Sequence, residues 1–154
     1  MKLTVVLKGM ICLKPTSNLH AVTDVEMRVR VSTGEESTLG YKVLGEFGLG
    51  KFVQDEVKKL NITLYSGDPA TEPTPFVRLY FYERVMDFFD YPIGLGLVGV
   101  KNGKIYWKVG TDTEDKGTVH PGDYDFNDFD GSRRFLMKGT GGLYLAFITA
   151  QLSL

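Results

Sequence analysis

The dipeptide Asn102-Gly103 narrows the fold more than any other feature of this chain. It lies between "LGLVGVK" and "KIYWKVG", two runs rich in β-branched, aliphatic and aromatic residues. A type I′ turn needs positive φ at both central residues, and Asn-Gly accepts that at low cost. Two strands joined by a two-residue turn are therefore expected over residues 95–110. A second segment, "TDVEMRVRVST", puts Val25, Met27, Val29 and Val31 on one side and Glu26, Arg28 and Arg30 on the other. That period of two describes an antiparallel strand with one wet face.

The remaining segments point the same way. "KLTVVLKGMICLK" ends at Pro15, "STLGYKVLGEF" is broken by two glycines, and "PFVRLYFYERV" is aromatic and partly alternating. The C-terminal run places Leu143, Leu145, Phe147, Thr149 and Gln151 on one side of a central strand. In "KFVQDEVKKL", Val53, Val57 and Leu60 have helical spacing, so a short helix is expected there, and "YERVMDFFDY" admits a second. Residues 66–75 read as a turn-rich connector. The expected fold is one all-β domain over residues 1–154, an antiparallel sandwich of seven to nine strands with one or two short helices. A jelly-roll is one arrangement of that kind.

Charge and composition exclude several classes of function. The net charge of −1 supplies no global field to recruit nucleic acid or an anionic membrane. The single cysteine, Cys12, sits in an apolar strand and cannot form an internal disulfide. No apolar run approaches the roughly 20 residues of a membrane-spanning helix. Lys8 interrupts the N-terminal apolar run, so a strand fits it better than a signal peptide. Cytoplasmic residence is the default expectation, with leaderless export as the alternative.

Familiar catalytic patterns are missing. Histidine occurs only at His20 and His120, and no G-x-S-x-G, Walker or H-E-x-x-H motif is present. "GLGLVG", from Gly94, matches G-x-G-x-x-G by letter. A dinucleotide site would need a helix to start there, and the Asn102-Gly103 hairpin forbids it. Gly94, Gly96 and Gly99 are expected in or beside a strand, allowing close packing. "NIT" at Asn61 matches a glycosylation acceptor only by letter.

One stretch carries unusual chemistry. Seven of the 19 acidic residues fall between Asp112 and Asp130, and within that stretch only Lys116 opposes them. Carboxylates about 6 Å apart repel by roughly 0.7 kcal/mol per pair in water, and by more when partly buried. A divalent cation would reverse that cost. Calcium takes six to eight hard oxygens in flexible geometry. In an extended "DYDFND", Asp123, Asp125 and Asn127 would share one side, joined by Asp128 and Asp130 after a bend. Tyr124 and Phe126 would then anchor the loop to the core. The alternative is an ordinary solvated loop.

The "DYDFND" segment resembles the D-x-D and N-D ligand loops of calcium-binding C2 domains. "TDVEMRVRV" is faintly similar to the strand start that carries another ligand in that family, although Val25-Glu26 replaces its Pro-Tyr. The resemblance implies an eight-stranded antiparallel sandwich with calcium-dependent binding of membranes or partners, and it nominates Asp24 as a further ligand.

Three functions follow as expectations. The first is a non-enzymatic, calcium-dependent binding module whose end loops engage a membrane surface, glycan or protein. The second is a structural subunit of a homo- or hetero-oligomer, joined through the C-terminal strand and the Phe88-Phe89 loop. The third is a small hydrolase using paired carboxylates.

Overall fold

The computed structural model describes residues 1–15, 25–34, 41–72, 74–86 and 89–154. Asp24, His20 and Phe88 lie outside them. The described residues form ten strands: β1 (Lys2–Pro15), β2 (Val25–Thr33), β3 (Lys42–Gly50), β4 (Val57–Gly67), β5 (Phe76–Val85), β6 (Phe89–Lys101), β7 (Lys104–Val109), β8 (Thr113–Thr118), β9 (Arg133–Gly139) and β10 (Gly142–Ser153). They build two five-stranded sheets, which we call A and B. Sheet A has the order β4-β1-β10-β9-β8 and sheet B the order β3-β2-β5-β6-β7. Every pairing is antiparallel. The fold is the expected all-β sandwich, with one strand more than the upper expectation.

Local chemistry explains the elements. Asn102 and Gly103 have φ of 54° and 74°, and Lys101 pairs with Lys104 across the turn, so the β6–β7 hairpin forms as read. In β2, Met27, Val29 and Val31 are buried, while Arg28 and Arg30 turn outward. The core between the sheets draws on Leu3, Val5, Leu7, Val29, Leu79, Phe81, Phe135, Tyr144 and Ile148 among others. Cys12 is one of these core residues.

Gly94 and Gly96 lie in β6, as expected, with their faces toward sheet A. A Cβ on Gly96 would stand 2.4 Å from a ring carbon of Phe135, and one on Gly94 would stand 2.4 Å from Met137 Cγ. The glycines let β9 press its large side chains onto β6. Phe135 fills that space edge-on to Trp107, with centroids 5.6 Å apart.

The helix expected over residues 51–60 does not form. Residues 54–55 make a turn, with φ of 64° at Asp55, and Val57 begins β4. Leu60, Ile62 and Leu64 face the core at a period of two. That alternation gains a backbone partner in β1, which a helix at this position would forfeit. The second admitted helix is likewise absent from the described residues, since β5 runs to Val85 and β6 starts at Phe89. The described helical structure consists of two single-turn 3-10 segments, Pro69–Thr71 and Asn127–Phe129.

Several pairings slip in register. Shifts interrupt β4 on β1, β3 on β2 and β8 on β9, whereas β7 pairs with β6 without interruption.

Candidate functional site

The acidic stretch connects β8 to β9 and folds over the outer face of sheet A. Its base is closed by Val119 N–H donating to Ser132 O at 2.8 Å and Gly131 N–H to Val119 O at 2.9 Å. Phe129, 3% exposed, stacks on Phe147 of β10 with centroids 4.3 Å apart. Phe126 packs against the same ring at 5.3 Å. Ile11, Val119 and Leu145 complete this second, smaller core.

The loop is not the extended segment that the alternation suggested. Asp123 N–H donates to His120 O, Phe126 N–H to Asp123 O and Phe129 N–H to Phe126 O. These successive turns, with φ of 68° at Asp125, rotate the side chains out of a two-sided pattern. Phe126 is half-buried and Phe129 is the main anchor, whereas Tyr124, expected as an anchor, is 86% exposed.

The turns also disperse the acids. Asp123 Oδ2 accepts the His120 N–H at 3.0 Å and lies 4.0 Å from Arg134 Nη1. Asp128 pairs with Lys59 of β4 at 3.0 Å. Asp115 pairs with Arg133 at 3.0 Å, and Glu114 with Lys116 at 3.0 Å. Asp125, Asn127 and Asp130 are exposed. Among the described residues, no three His, Cys, Asp or Glu side chains gather to hold a metal ion. As folded, the loop divides its carboxylates among separate partners. Its repulsion is relieved by Lys59 of β4, remote in sequence, by Arg133 and Arg134 just beyond the loop, and by Lys116 within the stretch.

The outer face of sheet B is organised differently. Strand register aligns Glu26, Arg84 and Asp90 in one row, Arg28, Tyr82 and Pro92 in the next, then Arg30, Tyr80 and Leu95, then Ser32, Arg78, Leu97 and Lys108. Most of these charges are matched. Arg84 makes a bidentate pair with Asp90 at 2.9 and 3.2 Å. Arg30 donates to Glu46 at 2.9 Å and lies 3.8 Å from Asp90, and Arg28 donates to Glu26 at 3.1 Å. The guanidinium groups of Arg30 and Arg84 cover the Tyr82 ring at 5.1 and 5.5 Å, leaving it fully buried on an outward face. Its hydroxyl donates to Glu46 at 2.8 Å. That hydrogen bond is the main reason the Glu46 carboxyl is held below the usual range, with Arg30 adding to it.

Arg78 breaks the matching. Among the described residues no hydrogen bond or ion pair holds it. It borders a depression of about 500 Å³, lined also by Phe76, Leu95, Leu97, Thr74 and Lys108. On its other side lies a smaller one of about 220 Å³, reaching Tyr80, Pro92 and Asp112. The floor of the larger depression is apolar, and among the described residues its two charged side chains are both cations. Gly99 shapes one wall: a Cβ there would stand 2.1 Å from Pro75 O and 3.1 Å from the Phe76 ring. Its absence lets Phe76 lie across β6 toward Tyr106, with ring centroids 5.3 Å apart.

The sequence reading did not single out Arg78, Lys108 or the apolar residues between them. The available signal was outward alternation in two neighbouring strands, Arg28 and Arg30 in one and Arg78, Tyr80, Tyr82 and Arg84 in the other. Only pairing places those faces together. Phe89, from the aromatic loop expected as an interface, is 51% exposed. No described helix is long and apolar enough to cross a membrane. Comparison with known proteins gives no significant match to a family model, a curated protein or a solved structure.

Proposed function

We propose that this chain is a non-enzymatic binding module that engages an anionic partner through the outer face of sheet B. The carrying observation is Arg78, unpaired among the described residues, beside Lys108 above an apolar floor, on a face where Arg28, Arg30 and Arg84 already have carboxylate partners. Interfaces favour arginine and aromatic residues for strong contacts, and this face offers both on strands rather than loops. The Arg30–Glu46–Tyr82 network fixes neighbouring side chains before a partner arrives, which lowers the ordering cost of binding.

Calcium dependence is a separable part of the sequence expectation. It would require Asp123 and Asp128 to leave their present partners, so the proposed module does not rely on it. Melting with calcium and with a chelator decides that point. A calcium-induced rise that Asp125→Asn abolishes would restore the cation to the function.

A peptide of alternating glutamate and leucine, titrated into the isotopically labelled full chain, tests the main reading. Amide shifts should cluster on β5, β6 and β7. Affinity should fall with added salt and disappear in the Arg78→Glu, Lys108→Glu double variant. Shifts confined to sheet A, or a double variant that binds as the wild type does, would reject it.

A further inference from the structure

The larger depression is specific enough to suggest a ligand class, an inference that rests on the binding face just proposed. We propose that it is a site for a small organic anion: one carboxylate or phosphate head held between Arg78 and Lys108, with a short apolar body on Leu95, Leu97 and Phe76. Register places Arg78, Leu97 and Lys108 in one row across β5, β6 and β7. Two strand spacings separate the cations, about 10 Å between their backbones. Both side chains are long enough to lean over Leu97 toward one anion. Arg78 can offer two parallel N–H donors, matching carboxylate and phosphate geometry, while Lys108 adds a point charge.

The remaining lining sets the body of the ligand. Leu95 and Phe76 lie on either side of Leu97 along the groove, and Thr74 is already committed to the Gly34 N–H and the Phe76 carbonyl, at 3.1 and 3.0 Å. Among the described residues no carboxylate lines this depression. Its volume of about 500 Å³ falls within the usual range for small-ligand sites. An uncharged amphiphile would leave both cations unmatched, and a cationic one would meet two like charges. That difference gives the site its selectivity for an anionic head on an apolar body.

Titration of the labelled full chain with octanoate, octyl phosphate, 1-octanol and octylammonium tests the proposal. Octanoate or octyl phosphate should give saturable shifts centred on Arg78, Leu95, Leu97 and Lys108. Octanol and octylammonium should bind at least tenfold more weakly. Arg78→Met, which keeps an apolar stem, should weaken the better anion at least tenfold while leaving the spectrum otherwise folded. Octanol binding as well as the anions, shifts centred elsewhere, or an unaffected Arg78→Met would overturn the ligand assignment. A glutamate–leucine peptide that still reports on this face after such a result would leave the binding-module reading intact. Loss of both responses would reject both.

Discussion

The Tyr144 hydroxyl donates a hydrogen bond to Glu83 Oε1 through the centre of the sandwich, tying β10 of sheet A to β5 of sheet B. Glu83 is 6% exposed, and its other carboxylate oxygen has no partner among the described residues. Burial pushes the Glu83 carboxyl above its ordinary range, and the Tyr144 hydroxyl is pushed up first by burial and then by Glu83. An ionised Glu83 is therefore disfavoured inside the fold.

A pH-dependent stability term follows. The unfolded carboxyl titrates near about 4.3, and the folded one titrates higher. Between those values the folded state holds more protons, so stability falls as pH rises, by up to about 1.4 kcal/mol per pH unit. Below the unfolded value the contribution is fully present. Glu83→Gln removes this slope. Chemical unfolding from pH 4 to 8 should show the variant gaining on the wild type as pH rises, and parallel curves would contradict the buried-carboxyl account.

The acidic loop should be held mainly by Phe129, with Phe126 beside it and little from Tyr124. Phe129→Ala removes the stack on Phe147 and should cost about 3–4 kcal/mol. Tyr124→Ala should stay within about 0.5 kcal/mol, because that side chain meets mainly solvent. Equal losses in urea melts of the two variants would mean the loop is anchored differently.

Contact between the sheets at β6 and β9 predicts a steric penalty. Gly96→Ala places a methyl group into the Phe135 ring and should destabilise by about 1–3 kcal/mol. Adding Phe135→Leu should recover part of that loss. A double-mutant cycle with no coupling between the two positions would show that the glycine is not there for the ring.

Binding and stability should separate on the outer face of sheet B. Arg78→Met should change unfolding free energy by no more than about 0.5 kcal/mol, since no partner is lost. Arg30→Met should cost about 1–3 kcal/mol, because it leaves Glu46 without a guanidinium and uncovers Tyr82. A thermal melt of each variant is sufficient, and a large loss in Arg78→Met would indicate a structural role for that arginine.

Local signals in the sequence were sufficient for the strands. The Asn102-Gly103 turn, the alternation from Glu26 to Val31 and the β6 glycines each depend on near neighbours, and each is found as read. The helix at 51–60 failed because a three-residue spacing was weighed without the alternation through Leu64. The loop failed for another reason. The residues that neutralise Asp128 and Asp123, Lys59 and Arg134, are brought in by strand pairing and lie outside the acidic stretch. The same limit hid Arg78, whose isolation becomes visible only when Arg30, Arg84 and their partners are assembled beside it.

The uninterrupted pairing of β7 on β6 has a consequence for self-association. Open sheet edges can recruit strands from other molecules, and irregular register discourages this. The other three edge strands, β3, β4 and β8, carry such irregularities, while β7 presents a straight edge of strongly β-forming residues, "KIYWKV". Lys104 and Lys108, both exposed, supply the charge that keeps two such edges apart. Light scattering of a Lys104→Thr, Lys108→Thr variant should show faster aggregation than wild type, and unchanged scattering would dismiss this role. Lys108 would thus face two demands, because an anion seated beside it also cancels part of the repulsion that keeps the molecules dispersed.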